Sequence, residues 1–311
     1  MSALACDRAP GTVPNDVMDE YYVQRAIGGA GLIISERILT TQQGTEWPHA
    51  SRIWNSEQVS AWEKITDDVH AAGSHIYAQL WHVGRVSYPD APEQKLAGVP
   101  AYTLTAISVR GGKFRHVHGL PGYVTPTAID DPWTIIKQFK EATGNAKKTG
   151  FDANGYLITQ FLDINSNQRT DQFSRHWLKS LVKMFAVMLS PAGGYNDADK
   201  LNLAHITLYV EFEGKKRAAI HDIVESYRHL IKNAKVFVNA GVTPEESTRL
   251  ISDGKADAIS IGFSWTTHPD LVKRTQHGKP LNNIPDIPHL QWGKSEKDLR
   301  AGYTDYPEAE Y

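Results

Sequence analysis

The chain has 311 residues and a formal net charge of −2, from 33 Lys and Arg residues against 35 Asp and Glu residues. This balance gives no electrostatic footprint for nucleic acid or for an anionic membrane surface. With 41% hydrophobic residues the chain can bury a large core, and its length suits one α/β barrel or two ordinary domains.

Cysteine usage and the N-terminal sequence indicate the compartment. The single cysteine, Cys6, excludes an intrachain disulfide, which is typical of a reducing environment. No apolar run of signal-peptide length opens the chain, and no stretch approaches the ~20 apolar residues of a membrane span. We therefore expect a soluble, cytoplasmic monomer or homodimer that binds neither nucleic acid nor a membrane.

Short apolar runs alternate with amphipathic helical patterns along the chain. Asn55, Asp131 and Thr243 each precede an apolar stripe as a helix cap would, and a fourth helical stripe covers residues 220–231. Sustained strand–helix alternation predicts an α/β fold, as a doubly wound sheet or a (β/α)8 barrel. Six runs are nearly continuous in apolar residues, as in a parallel sheet covered on both faces: 31–36, 75–81, 184–190, 205–210, 236–240 and 258–262.

Two features favour the barrel. The first strand is followed by no glycine fingerprint, since Ser35-Glu36-Arg37 stands there, so a dinucleotide-binding Rossmann domain is not indicated. The long interruption at residues 86–127 is rich in proline and glycine, and it follows the end of a strand, where a barrel carries its active-site cover. We predict one barrel domain over residues 1–311.

Candidate binding groups lie near the end of the second strand. Strand periodicity puts Gln79 and Trp81 on the same side, at the end of a barrel where ligands collect. A glutamine amide offers donors and an acceptor, which suits the edge of a conjugated heterocycle. The residues alone leave an alternative, in which Trp81 belongs to the core and Gln79 satisfies a backbone group.

Asn154 and Tyr156 are a second candidate pair, in a predicted loop. A phenol, with a pKa of ~10, can donate a proton to a developing carbanion while Asn154 binds the neighbouring carbonyl oxygen. Asn-Gly-Tyr is equally typical of a turn with an aromatic anchor. The pair His116 and His118 has no third ligand near it in sequence, so we predict no metal site.

Taken together, these segments resemble the old yellow enzyme family of flavin-dependent ene reductases, and its fungal members most. The resemblance is carried by ordered blocks that run almost end to end: EYY at 20–22, QRA at 24–26, GLIISE at 31–36, QLWHVGR at 79–85, ANGYL at 153–157, SN at 166–167, RTD at 169–171, LSP at 189–191, HPDL at 268–271 and GYTDYP at 302–307.

The resemblance implies a (β/α)8 barrel that holds FMN at its C-terminal end, with NAD(P)H as hydride donor and an enone or enal as substrate. It implies that Tyr156 is the proton donor, that Asn154 binds the substrate carbonyl and that Trp81 forms a wall of the substrate pocket. The residues implied to contact the flavin, at its ring or its phosphate, are Leu4, Ala5, Gln79, Gly241 and Gly262.

The chain also departs from the family pattern. Met1 falls inside the family's first strand, and only three residues separate Gly150 from Asn154, too few for a typical fourth strand of ~5–6 residues. Met188 and Phe263 stand where the family has arginines against the flavin ring and phosphate, and Arg37 stands where the family usually has glycine or alanine beside the flavin. We therefore expect internal deletions, a barrel incomplete around strands one and four, and weakened FMN binding.

Two functions remain open after these departures. Retention of Gln79, Asn154 and Tyr156 favours an ene reductase, with impaired activity as the consequence of the departures. Loss of the arginines and of the family's clamp histidine favours a catalytically degenerate or non-redox ligand-binding barrel. A cofactor-free lyase or isomerase ranks last, because no carboxylate–lysine constellation stands at the strand ends.

Overall fold

The computed structural model describes most of the chain, and all structural statements below concern the residues that it describes. These are residues 1–45, 47–103, 106–108, 123–131, 133–157, 186–187, 205–209, 223–239, 242–290 and 299–311. For residues 154–157, 186–187, 205–209 and 223 only the backbone is described.

The fold is organised around one sheet of seven strands, and every pairing between neighbours in it is parallel. In their order across the sheet the strands are β1 (Leu32–Leu39), β2 (His75–Trp81), β5 (Ala153–Leu157), β6 (Ala186–Val187), β7 (His205–Tyr209), β8 (Lys235–Asn239) and β9 (Ala258–Ser260). Each of the six predicted runs overlaps one of these strands, which confirms the parallel α/β prediction.

The first two residues join the outer strands of this sheet. The Met1 amine donates to the Leu32 carbonyl at 2.6 Å, and the Met1 carbonyl accepts from the Ile34 N–H at 3.1 Å. On the other side, the Ser2 N–H donates to the Ile261 carbonyl at 2.8 Å, directly after β9. The same dipeptide therefore bonds to both edges, and the sheet closes on itself as a barrel.

Helices follow the strands in the alternation that the sequence predicts. Asn55 and Gln58 form a reciprocal capping box at the start of the second helix, and the Asp131 side chain accepts the Trp133 N–H at 3.0 Å. The Thr243 hydroxyl caps a later helix through the Glu246 N–H. The helices are α1 (Asp16–Ile27), α2 (Ser56–Ala71), α3 (Pro92–Leu96), α4 (Trp133–Lys148), α5 (Ile223–Tyr227), α6 (Pro244–Ser252), α7 (Phe263–Thr267) and α8 (Leu271–Gln276).

The main core lies between the sheet and its helices. Ile76, Ala78 and Leu80 alternate along β2 and share this core with Trp62 of α2 and Phe139 of α4. Because strand side chains alternate, the intervening residues of β2 face the barrel interior. In the described residues, no helix combines the length and apolar character needed to cross a membrane.

A buried arginine connects two of the sequence blocks that carry the family resemblance. The Arg25 guanidinium lies 3.7 Å from the centre of the Tyr21 ring and donates to the carbonyls of Thr266 and Tyr303. The Tyr21 and Tyr303 rings stack with their centres 4.0 Å apart. The C-terminal block is thereby held against α1, at the outside of the barrel.

The loop expected at Asn154 and Tyr156 was a wrong prediction. Residues Ala153–Leu157 form β5, which pairs over its full length with residues 77–81 of β2. A five-residue strand therefore occupies the place where the sequence predicts too few residues for one. Whether the barrel is incomplete relative to its family stays a prediction.

The excursion at residues 86–127 is described in part, and its first section packs over the ends of β1 and β2. The Gln94 amide on α3 accepts the Gly44 N–H at 2.7 Å and donates to the Val99 carbonyl at 2.7 Å. Glu93 accepts from Arg52 at 2.5 Å and from Gln42 at 3.1 Å. Two short strands, β3 (Tyr102–Thr103) and β4 (Thr127–Ala128), pair within the excursion, and His116 and His118 lie outside the described residues.

Candidate active site

A bulge in β1 sets which side chains face the barrel interior. The register with β2 shifts between Ile34, which pairs with Tyr77, and Arg37, which pairs with Gln79. Ser35 and Glu36 thus lie opposite a single residue of β2, the one between Tyr77 and Gln79. A side-chain hydroxyl supplies the hydrogen-bond acceptor at this point, because Ser35 Oγ accepts the Gln79 N–H at 3.0 Å. The Glu36 N–H donates to the Tyr22 hydroxyl at 2.8 Å, so the bulged backbone remains hydrogen-bonded.

Gln79 and Trp81 lie on the barrel-facing side at the C-terminal end of β2, as predicted. Each is only 3% exposed. Trp81 packs with Leu39, its register partner in β1, and with the partly buried Ala5. A buried amide and an indole therefore stand side by side at the end of the barrel that collects ligands in this class of fold.

Two side chains in this region were not among the predicted site residues. The Trp47 ring meets the Trp81 ring edge-on, with centres 6.4 Å apart and planes at 85°. The Arg37 guanidinium carbon lies 5.0 Å from the centre of the Trp81 ring, within the range of a cation–π contact. For Arg37, the sequence offers one signal: the polar Ser-Glu-Arg step inside an otherwise apolar strand, which indicates a bulge.

Leu4 and Gly262 come together shortly after β9, the strand that Met1 and Ser2 join to β1. A Cβ atom placed on Gly262 would lie 3.8 Å from Leu4 Cδ2 and 3.6 Å from Ser2 Cβ, so these residues are in ordinary contact. The Ser2 hydroxyl accepts a hydrogen bond from the Asn239 amide at 2.7 Å, at the end of β8. The predicted contacts Leu4, Ala5, Gln79 and Gly262 thus lie along the ends of β1, β2 and β9.

The remaining predicted residues are placed less completely. Gly241 lies outside the described residues. The register pairs Asn154 with Ala78 and Tyr156 with Leu80, whereas Gln79 pairs with Gly155. Ala78 and Leu80 belong to the helix-facing core, so the backbone positions of the predicted catalytic pair are not opposite Gln79 and Trp81.

Carboxyl groups are buried beside the bulge. Asp7 and Glu36 are 1% and 2% exposed. Glu36 accepts the Cys6 N–H at 3.3 Å, and Asp7 accepts the His49 N–H at 2.9 Å. Burial, and after it the negative charge of Glu36, raises the pKa of Asp7 to about 7. Burial also raises the pKa of Glu36, and it raises that of the Cys6 thiol to about 12, so Cys6 is no nucleophile at neutral pH.

The loop after β1 closes tightly over His82. Gly44 has a φ of +75°, and a Cβ atom there would overlap the His82 imidazole, so both the backbone conformation and the space require glycine. Burial lowers the pKa of His82 to about 3, and its Nδ1 accepts the Gly84 N–H at 3.0 Å. His82 is therefore a neutral structural residue beneath the site.

Sequence comparison identifies the family of the chain. A sequence model of the NADH:flavin oxidoreductase / NADH oxidase family matches residues 1–175. The chain belongs to this family. It is 30% identical to 12-oxophytodienoate reductase 7 of Oryza sativa subsp. japonica, over 96% of this chain and 88% of the rice protein. It is 28% identical to a Leishmania infantum protein named probable flavin mononucleotide-dependent alkene reductase, over 95% of this chain and 88% of that protein.

Solved structures of old yellow enzymes share the whole fold. The old yellow enzyme homologue of Zymomonas mobilis superposes with a TM-score of 0.83 at 28% identity, covering 99% of this chain and 94% of that one. Morphinone reductase in complex with tetrahydroNAD superposes with a TM-score of 0.83 at 26% identity, covering 100% of this chain and 93% of that one. Membership of the old yellow enzyme family and the barrel fold are thereby confirmed.

The described residues of this family member suit a flavin ring. Gln79 presents an amide, a group with both donors and an acceptor, at a buried position that faces the barrel. Ala5 is small, half-buried and packed against the cluster that contains Trp81, and Gly262 carries no side chain that would fill the space next to Leu4. Polar recognition at one edge between apolar walls is what a cofactor pocket requires.

Proposed function

We propose that the chain is an FMN-dependent NAD(P)H oxidoreductase that reduces the C=C bond of α,β-unsaturated carbonyl compounds. When bound, FMN supplies the relay of hydride from NAD(P)H to the alkene. Gln79 hydrogen-bonds the polar edge of the ring, with Leu4 and Ala5 beside it, and Gly241 and Gly262 offer backbone N–H groups to the phosphate. Family membership and the burial of Gln79 beside Trp81 at the C-terminal end of the barrel support the proposal.

The substrate would lie against Trp81. Asn154 binds its carbonyl oxygen and thereby stabilises the negative charge that develops there. Tyr156 donates a proton to the α-carbon from its hydroxyl oxygen. The substrate is a small enone or enal, and we further propose that the protein acts as a cytoplasmic monomer or homodimer.

We also propose that FMN binds more weakly here than in relatives. Phe263, at the family's phosphate-arginine position, is 56% exposed at the start of α7 and brings no positive charge. Met188, at the family's ring-arginine position, lies outside the described residues. Two lost charge-assisted contacts at ~1.5–3 kcal/mol each correspond to a combined factor of about 10²–10⁴ in affinity.

A titration with FMN tests both statements. Quenching of flavin fluorescence gives the dissociation constant, and oxidation of NADH or NADPH by cyclohexenone gives the activity and the preferred nucleotide. Gln79→Met keeps the volume but removes the polar edge contact, so we expect the FMN dissociation constant to rise about tenfold. Gln276→Met, at an exposed position on α8, is the matched control. Purification with stoichiometric, tightly held flavin would contradict weakened binding.

The alternative function is a non-redox ligand-binding barrel of the same descent. The exposed Phe263 favours it, because it stands where an enzyme of this family would hold the phosphate. Failure of FMN to bind or shift the melting temperature, together with retained binding of an aromatic ligand near Trp81, would support this alternative over the enzyme.

A further inference from the structure

Two consecutive residues of α3 attach the section at residues 87–99 to the barrel. The Gln94 amide accepts the Gly44 N–H at 2.7 Å, in the loop that follows β1. Beside it, the Glu93 carboxylate accepts from the Arg52 guanidinium at 2.5 Å. A neutral hydrogen bond and a charged one therefore hold this section over the ends of β1 and β2.

Arg52 is fixed at the C-terminal end of β1. It forms a parallel bridge with Leu39, whose N–H donates to the Ser51 carbonyl at 3.0 Å. The Arg52 side chain is 1% exposed, and its guanidinium carbon lies 4.8 Å from the centre of the Trp54 ring. Leu39 packs with Trp81 in the same cluster. The ion pair therefore joins α3 to the part of β1 that contacts Trp81.

A second carboxylate, that of Asp7, interacts with the same guanidinium. Asp7 Oδ1 accepts the His49 N–H at 2.9 Å. In the described part of the chain, Asp7 Oδ2 and the Nε and Nη2 atoms of Arg52 are buried without a hydrogen-bond partner. Burial lowers the pKa of Arg52, whereas the hydrogen bond and charge of Glu93, and after them the charge of Asp7, raise it. A guanidinium that leaves Glu93 would therefore still have a carboxylate to pair with, which avoids the cost of an unpaired buried charge.

We propose that Arg52 is a two-position latch that controls access to Trp81. Bonded to Glu93, Arg52 holds α3 over the ends of β1 and β2, and bonded to Asp7 it releases α3. Two alternative ion pairs of one side chain are a two-state element of the kind that a gate requires. The inference rests on the proposed function, which puts the substrate against Trp81.

Proton binding at Asp7 decides which position is favoured. Burial, followed by the charge of Glu36, raises the pKa of Asp7 to about 7. The groups that act against this rise are the His49 N–H and the guanidinium groups of Arg52 and Arg8. Below this pKa Asp7 is neutral and leaves the guanidinium on α3, so the latch is closed. As the pH rises through about 7, Asp7 becomes charged and competes for Arg52, so opening increases.

Hydrogen exchange in the full chain without FMN tests the latch. The reporters are the Lys95 and Ala97 N–H groups of α3, which bond to carbonyls of the same section. Their protection factors are already corrected for the intrinsic effect of pH. Between pH 6 and pH 8 we expect protection to fall about 3- to 10-fold in the parent and to stay level in Asp7→Asn. Glu93→Gln is expected to lower protection about 10-fold at both pH values.

Asp90→Asn is the matched control, because it removes an exposed ion pair with Lys95 inside the same section. Equal protection in Glu93→Gln and Asp90→Asn would overturn the latch. A loss in Asp7→Asn as large as that in Glu93→Gln would also overturn it, because Asp7 would then stabilise the closed position. Circular dichroism checks that each variant is folded. If Asp7→Asn does not fold, the parent alone decides, since level protection from pH 6 to pH 8 contradicts the inference.

A kinetic measurement separates this inference from the proposed function. Stopped-flow mixing of the reduced, FMN-loaded protein with cyclohexenone gives the second-order rate constant at low cyclohexenone concentration. We expect this constant to rise about 3- to 10-fold in Glu93→Gln and to keep the parent value in Asp90→Asn. If FMN does not bind or cyclohexenone is not reduced, the proposed function fails, and hydrogen exchange still decides on the latch. Faster exchange in Glu93→Gln with an unchanged rate constant would overturn the control of access.

Discussion

The ends of β2 and β5 are neighbours in the sheet, but they differ in how well the local sequence predicts the strand. The sequence of β2 predicts its strand, and the sequence of β5 does not. Residues 75–81 alternate between helix-facing and barrel-facing positions, and their predicted bounds agree with the observed strand. Residues 153–157 read ANGYL, in which Asn-Gly is a turn signal. They form a strand because β2 on one side and β6 on the other supply parallel pairing partners.

This difference affects the two halves of the candidate site. Gln79 and Trp81 stand where the alternation of β2 puts them, and their burial is observed directly. Asn154 and Tyr156 depend on a register that local sequence did not predict, and it pairs them with Ala78 and Leu80. The catalytic roles given to the β5 residues therefore stay predictions. Experiments on these residues test the difference between the β2 and β5 halves of the site most directly.

The largest expected effect belongs to Tyr156. Removing the proton-donating hydroxyl by Tyr156→Phe is expected to slow alkene reduction about 10²- to 10⁴-fold, the usual contribution of a general acid. Stopped-flow mixing of the reduced, FMN-loaded protein with cyclohexenone measures this step apart from flavin reduction. Tyr77→Phe removes a hydroxyl from β2 in the same sheet and serves as the control. Alkene reduction that survives Tyr156→Phe would mean that the register at Leu80 excludes residue 156 from the chemistry.

Much of the barrel could be predicted because its strands and helix caps are local signals. Asn55 and Thr243 cap the helices where their spacing indicated, and the order of the strands follows from parallel alternation. The bulge at Ser35 had only one local signal, the polar Ser-Glu-Arg step, and that step does not determine which contacts hold the bulge. It depends on the Tyr22 hydroxyl and the Gln79 N–H, which come from distant parts of the chain. The contact of Arg37 with Trp81 follows from that bulge and was missed for the same reason.

The next largest effect concerns the carboxyl group of Asp7, buried beside the β1 bulge. Its folded-state pKa is raised from 3.8 to about 7, so the folded protein binds this proton more tightly than the unfolded chain. The stabilisation is present below pH ~4 and is lost as the pH rises to about 7, a change on the order of 4 kcal/mol. Asp7→Asn is expected to remove this part of the pH dependence and to be more stable than the parent at pH 8.

Urea unfolding at intervals between pH 4 and pH 8 measures the effect of Asp7→Asn. Asn keeps an oxygen for the His49 N–H, so the hydrogen bond is preserved while the charge is lost. Asp67→Asn changes an exposed carboxylate on α2 and is the control. A parent protein whose free energy of unfolding stays level across this range would show that the carboxyl is not held protonated.

The smallest expected effect tests the hydrogen bond between the Ser35 hydroxyl and the Gln79 N–H at the β1 bulge. Ser35→Ala leaves the Gln79 N–H without its acceptor at a buried position, which costs about 1–3 kcal/mol of unfolding free energy. The loss should be local, so hydrogen exchange at the Gln79 amide should accelerate more than at Leu80, which lies next to it in β2. Ser252→Ala removes an exposed hydroxyl on α6 that bonds only within its own helix. If both serine variants unfold at the same urea concentration, the packing of Trp81 and Leu39 maintains the register shift, and the Ser35 hydroxyl does not. Arg37 would then keep its contact with the Trp81 ring in the Ser35→Ala variant.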